Sequence, residues 1–214
     1  MYYILIALLF TLVAPSNIIM IGDTRTAGIA IDVIGFPKTD DYTIKSKTPI
    51  YFKGHYFHVT ASHWATVYNF TKGDLYQSMH EQISKASSGT YVFLCLGLFN
   101  IRNYVDTKNF YIQLAQTYRH VKFIAFPVVG VSKMFPKQYA SNELIYQFNL
   151  QLNALINEAS THTSNLVFKN FLITPLMTAL GDDLTNKMAQ GYYYSPSTSA
   201  DILYLMLAHI GGLT

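Results

Sequence analysis

The residues of this chain that could do chemistry are few, and their types narrow the choices. There are seven histidines, one cysteine, and a hydroxyl-bearing turn, Gly22-Asp23-Thr24-Arg25, directly after the apolar run Ile18 to Ile21. A threonine hydroxyl can serve as a nucleophile when a base lies beside it. Its β-methyl, however, crowds the line of attack and restricts χ1. No pair of histidines has zinc-ligand spacing such as HExxH, so no metal site is expected. Cys95 lies inside the apolar run Tyr91 to Leu96, where a small buried hydrophobe is expected rather than a reactive thiol. With one cysteine no intramolecular disulfide can form. Asp182-Asp183 follows Gly181 and reads as a solvated turn. Nothing calls for a cofactor.

The elements that must position these groups alternate along the chain. Ile18 to Ile21 reads as a buried strand ending at Gly22, and Tyr51 to Ala61 as one or two strands rich in aromatic and β-branched residues. Asp74 to Lys85 has helical spacing, with Leu75, Met79 and Ile83 on one face. Tyr91 to Leu96 is the next strand, Asp106 to Tyr118 a helix, and Val121 to Val129 a strand interrupted by Pro127. Leu144, Phe148, Leu152 and Ile156 mark a helix over 141–159, Leu166 to Phe171 is a short strand, and Asp201 to Ile210 closes as a helix before Gly211-Gly212. Phe36 to Lys47 reads as a surface loop. Strands separated by helices of this length predict an α/β fold, a three-layer α/β/α sandwich on a mostly parallel, flavodoxin-like sheet of about five strands. Ligands of such sheets sit beyond the carboxyl ends of the strands, which points to the loops beginning at Gly22, Ala61, Gly97 and Val129.

Composition bounds the function. Half of the 214 residues are hydrophobic and 13% are charged, enough apolar material for one sizeable core and one domain. The formal charge is only +3, and Lys and Arg never form a run, which argues against nucleic acid as a partner. The N-terminus differs from the rest: Ile4 to Val13 is apolar, and Ala14-Pro15-Ser16 offers small residues for a cut after Ser16. About ten apolar residues fall short of the roughly 20 that span a bilayer. Residues 1–16 therefore read as a secretory signal peptide, with a secreted or extracytoplasmic domain over 17–214. A buried first strand or an uncleaved anchor is the alternative. Asn69-Phe70-Thr71 fits a glycosylation acceptor if the chain passes through a eukaryotic secretory pathway.

Three blocks, in order, resemble the SGNH (GDSL-type) hydrolases. IGDTRTAG at 21–28 is similar to their first block, where a GDS turn lifts the nucleophile above the sheet and aims backbone N–H groups at a forming oxyanion. It is closest to the bacterial-type subset that reads GDSRT. GTYVFLCLGLFN at 89–100 resembles the strand ending in a GxND block, and GYYYSPS at 191–197 resembles the last block, with its acid and base before the final helix. The resemblance spans roughly 17–208 and implies a small acyl or carbohydrate ligand.

The same resemblance implies a substituted site. The nucleophilic serine falls on Thr24, the oxyanion asparagine on Phe99 with Asn100 next to it, the aspartate on Gln190 and the histidine on Tyr193. The second block's glycine should fall near Ala61-Ser62-His63, and none is there. A phenol of ordinary pKa about 10 is no base near neutral pH. Where a triad acts as a unit, losing the base alone removes most of the rate enhancement. His63, and less so His58, is the candidate substitute base, because the fold would bring its loop beside Thr24. Asp23 is expected to hold the turn and Arg25 to pair with a carboxylate. The favoured reading is a secreted pseudoenzyme that keeps a ligand cleft lined by Thr24, Phe99 and Tyr193. An active esterase or acylhydrolase using Thr24, or a non-catalytic interaction protein with an exposed apolar patch, are the alternatives.

Overall fold

The computed structural model describes residues 15–131, 140–159, 163–169, 188–189 and 193–210. Their centre is a sheet built on β1 (Ser16–Gly22), whose side chains alternate between two buried layers. Ile18 and Met20 face one core, and Ile19 and Ile21 face the other. A strand buried on both faces must be apolar throughout, which is why the sequence shows a continuous run there.

Five strands run parallel in the order β4 (His55–Ala61), β1, β5 (Tyr91–Cys95), β6 (Lys122–Ala125), β7 (Leu166–Phe168). This is the flavodoxin-like order expected from the sequence. Two short antiparallel strands, β2 (Ile44–Lys45) and β3 (Ile50–Phe52), extend the edge at β4. Thus the stretch read as a loop over Phe36 to Lys47 contains β2, a strand of two residues and too short for any period to show. The strand expected over Val121 to Val129 stops at Ala125, because Pro127 offers no N–H for the ladder.

One core layer packs α2 (Gly73–Ser84), α3 (Tyr104–Thr117) and α4 (Asn142–Ala159) on the sheet, burying Met79, Ile83, Phe110, Leu114, Phe148, Leu152 and Ile156. In α2 and α4 these are the four-spaced positions singled out above, with Leu75 and Leu144 only partly buried. The other layer packs α1 (Thr24–Ile29), continued by a π-helical turn over Ala30–Ile34, and α5 (Pro196–Ala208). The last helix starts five residues before the expected Asp201. Ser195 caps it, accepting from the Thr198 N–H, and Pro196 occupies the first turn, where its missing N–H costs nothing. A two-stranded hairpin, β8 (Met188–Ala189) with β9 (Tyr193–Tyr194), precedes this helix. No helix among the described residues is long and apolar enough to cross a membrane. His162, Asp182-Asp183 and Gln190 lie outside the described residues.

Candidate functional site

The chain leaves β1 for β4 on one side of the sheet and then returns to β5 on the other. The carboxyl ends of these three strands therefore form the switch point at which open α/β sheets bind ligands. The turn after β1 is set by Gly22 and Asp23. A Cβ on Gly22 would lie 1.8 Å from Thr26 Oγ1 and 3.0 Å from the Cys95 carbonyl, so only glycine lets the strand end this close to β5. Asp23 is the N-cap of α1, its carboxylate accepting from the Arg25 N–H at 3.0 Å and from the Leu98 N–H. Burial outweighs these bonds and the nearby Arg25 charge, and pushes the Asp23 carboxyl up to about 6.

Thr24 follows with no exposed surface. Its Oγ1 accepts from the Trp64 N–H at 2.9 Å and lies 3.3 Å from His63 Nδ1. With Trp64 already donating, the arrangement that satisfies all three groups has the hydroxyl donating to Nδ1, which puts the imidazole proton on Nε2. Partial burial lowers the His63 pKa, favouring the neutral ring such a bond needs. The loop carrying His63 is fastened to the turn: the Ser62 N–H donates to the Gly22 carbonyl at 3.4 Å, and the Ser62 and Thr43 hydroxyls are 2.7 Å apart. His63 thus reaches Thr24, as its place after the second parallel strand implies, and His58 does not. His58 contacts Ser46 at 3.5 Å, towards the β2 edge.

Trp64 is the site residue that the sequence does not announce. It has φ +57°, the left-handed conformation that glycine adopts freely and a bulky residue adopts at a cost. No glycine stands at Ala61-Ser62-His63, and the left-handed backbone of this loop falls one residue later, on a tryptophan. The Trp64 ring is 43% exposed and packs on Phe99 at 4.5 Å and on His63 at 5.1 Å between centroids. Tyr42 lies 6.4 Å from His63 on the far side. The imidazole that touches the threonine hydroxyl therefore belongs to a row of aromatic rings formed with Tyr42, Trp64 and Phe99.

The turn after β5 enters through Gly97 at φ +144°, whose hydrogen faces Phe148 and Val128; a Cβ there would sit 2.7 Å from both. Phe99 then turns to Trp64, and Asn100 is buried with its Oδ1 accepting from the Val67 N–H at 3.0 Å. Arg25 lies buried beside the Asp23 carboxylate, on which its charge acts. Its guanidinium donates to the Val129 carbonyl and, at 3.0 Å, to the Gly130 carbonyl. The guanidinium carbon lies 4.9 Å from the ring centroid of Tyr194, a cation–π contact. Tyr193 pairs through its backbone with Ala189, and the ring of Tyr194 reaches Arg25 of the Thr24 turn. Cys95, at the end of β5, has its thiol pushed far up by burial, consistent with a packed and unreactive role. Among the described residues no group of His, Cys, Asp or Glu could hold a metal ion.

No family model matches the sequence, and no curated protein matches it. Solved structures do match, and over nearly the whole chain. A lipolytic protein of the G-D-S-L family from Veillonella parvula superposes with a TM-score of 0.57 at 17% identity, covering 90% of this chain and 96% of its own. A mutant of an acetyl-xylooligosaccharide esterase from Geobacillus gives 0.58 at 10%, covering 92% and 95%. A lipase/acylhydrolase from Enterococcus faecalis gives 0.54 at 12%, covering 92% and 96%. The fold is that of the SGNH hydrolases.

Proposed function

We propose that this protein is a secreted SGNH-like pseudoenzyme that keeps the scaffold and a ligand-facing rim but does not hydrolyse esters. The observation that carries the proposal is the complete burial of Thr24 with its hydroxyl held between the Trp64 N–H and His63. A nucleophile must come within about 3–3.5 Å of the carbon it attacks. A hydroxyl with no exposed surface does not. The charge developing on the substrate oxygen would also lack its usual donor, since Phe99 offers a ring where the resemblance places an amide. What the rim offers instead is stacking area: Trp64, Phe99 and Tyr42 suit the flat face of a sugar or an acyl chain.

A second reading rests on one contact. The 3.3 Å separation of Thr24 Oγ1 and His63 Nδ1 is a nucleophile–base distance, and an opened rim would expose a threonine–histidine dyad for acyl transfer. Hydrolysis of p-nitrophenyl acetate and butyrate at pH 7.5 separates the readings. The pseudoenzyme gives the buffer rate with wild type and Thr24→Ala alike, whereas turnover in wild type that Thr24→Ala and His63→Ala both abolish makes it an esterase. Trp64 is the chain's only tryptophan, so its fluorescence reports this rim directly. Acetylated xylo-oligosaccharides are the first ligands to titrate, by analogy with the esterase of the same fold.

Export rests on the leader alone. Strand β1 begins at Ser16, so a cut after Ser16 would remove only its first pair, Ser16 with His55. Expressed with its own first 16 residues in a secreting host, the protein should be recovered from the medium starting at Asn17, and retention in the cell with residues 1–16 intact would contradict export.

A further inference from the structure

Two grooves away from Thr24 differ in how their charges are arranged. The larger, about 920 Å³ between α2 and the β2 edge, mixes signs, and two of its three lysines are paired: Lys45 with Asp74 at 3.0 Å, and Lys85 with Glu81. The smaller, about 630 Å³, opens at the amino ends of β5 and β6 and runs along the β6–β7 edge. Its lining includes Arg119, Lys122 and Lys169, with His120 and His209 beside them, and no Asp or Glu. None of those three cations takes part in an ion pair among the described residues.

The strand period explains how the charges come together. Ile124 pairs with Val167, so Lys122 two residues before and Lys169 two residues after point from the same face of the sheet. Lys122 is steadied by the ring of Tyr91, with Nζ 5.5 Å from the centroid. A concave site lined by one sign of charge focuses its potential, because the low-dielectric walls keep the field from spreading into water. The field is already felt inside the groove: the charge on Lys169 adds to burial in lowering the pKa of His209. The volume is that of a small-molecule site. Three fixed cations would be poorly compensated by one carboxylate and are suited to a dianionic group.

We propose that this groove binds a small phosphate monoester, the phosphate held by Arg119, Lys122 and Lys169 and the organic part resting on Tyr91 and the half-exposed Val167. The proposal is independent of whether Thr24 is catalytic, and its site lies along the β6–β7 edge, lined by none of the residues of the Thr24 turn.

The test is amide and histidine chemical-shift mapping of the full-length protein at pH 7.5, titrated with phenyl phosphate and with inorganic phosphate at an ionic strength held constant with chloride. Saturable shifts centred on Lys122, Lys169 and His209 are expected, with phenyl phosphate at least tenfold tighter than inorganic phosphate. The Lys122→Gln/Lys169→Gln double variant, changed only at partly or fully exposed side chains, should fold as wild type and lose at least tenfold in affinity. Shifts that fail to saturate, that chloride alone reproduces, or that survive the double variant would overturn the proposal. Cosedimentation with phosphatidylglycerol/phosphatidylcholine vesicles, undiminished by saturating phenyl phosphate, would also overturn it by making the groove a membrane-facing surface.

Discussion

The turn after β1 and the turn after β5 meet over the same switch point, yet they have kept different things. After β1 the structural chemistry is complete: Gly22 admits the close approach to β5, Asp23 caps α1, and a hydroxyl stands at Thr24. After β5 the residues that fold the turn are also in place, Gly97 against Phe148 and Asn100 on the Val67 N–H, but Phe99 gives a ring instead of an amide donor. The contrast separates two kinds of requirement. Residues that hold backbone to backbone are satisfied in both turns, and under the proposed function the differences fall on side chains that would touch a reacting ester.

The two glycines put this contrast under the greatest strain. Gly22→Ala drives a methyl into Thr26 and a fixed carbonyl, and Gly97→Ala adds a left-handed backbone to a clash with Phe148 and Val128. Each should cost about 3 kcal/mol in urea-induced unfolding, the upper range for overpacking and backbone strain. If either variant keeps wild-type stability, that turn is not held as described.

Asp23 comes next. Its folded pKa of about 6 lies above the ordinary 3.8, so its contribution favours folding when it is protonated, below pH 4, and is lost as pH rises through about 6. The full difference is worth about 3 kcal/mol, order of magnitude only. Asp23→Asn keeps the capping oxygen and removes the titration, so its unfolding free energy should lack the fall between pH 4 and 6 that wild type shows. A parallel fall in both proteins would assign the titration to another group.

Asn100→Ala leaves the Val67 N–H unsatisfied in a buried place and should cost about 2 kcal/mol in the same unfolding measurement. Thr24→Val keeps the shape and removes only the hydroxyl. With the bond to the Trp64 N–H gone, the variant should lose about 1 kcal/mol and change no activity. A larger cost at Thr24 than at Asn100 would invert the comparison between the turns.

Much of the fold and part of the site are legible in the sequence, and the rest is hidden for identifiable reasons. The two-sided apolar run of β1 and the four-spaced faces of α2 and α4 follow from periodicity, the parallel sheet from crossover lengths, and the sheet order from the family resemblance. So does the meeting of Thr24 and His63, which needs only that the loop after the second parallel strand lie beside the first. The Trp64 conformation cannot be read, because a left-handed backbone is announced by glycine and here it is imposed on a tryptophan by its neighbours. Tyr194 is hidden because three tyrosines in a row at 192–194 carry no period to say which one faces inward. The carbonyl partners of Arg25 come from a loop over a hundred residues away in sequence, and no spacing rule connects them. The early start of α5, by contrast, is readable in Ser195-Pro196, a cap followed by a first-turn proline.

On the proposed function the Thr24 hydroxyl, buried and hydrogen-bonded, is a structural group and not a nucleophile. Intact-mass analysis after incubating the protein with a fluorophosphonate probe at pH 7.5 decides the point. An unmodified mass is expected after hours at millimolar probe, in wild type and in Thr24→Ala alike. A single stoichiometric adduct that maps to Thr24 and disappears in Thr24→Ala would contradict it.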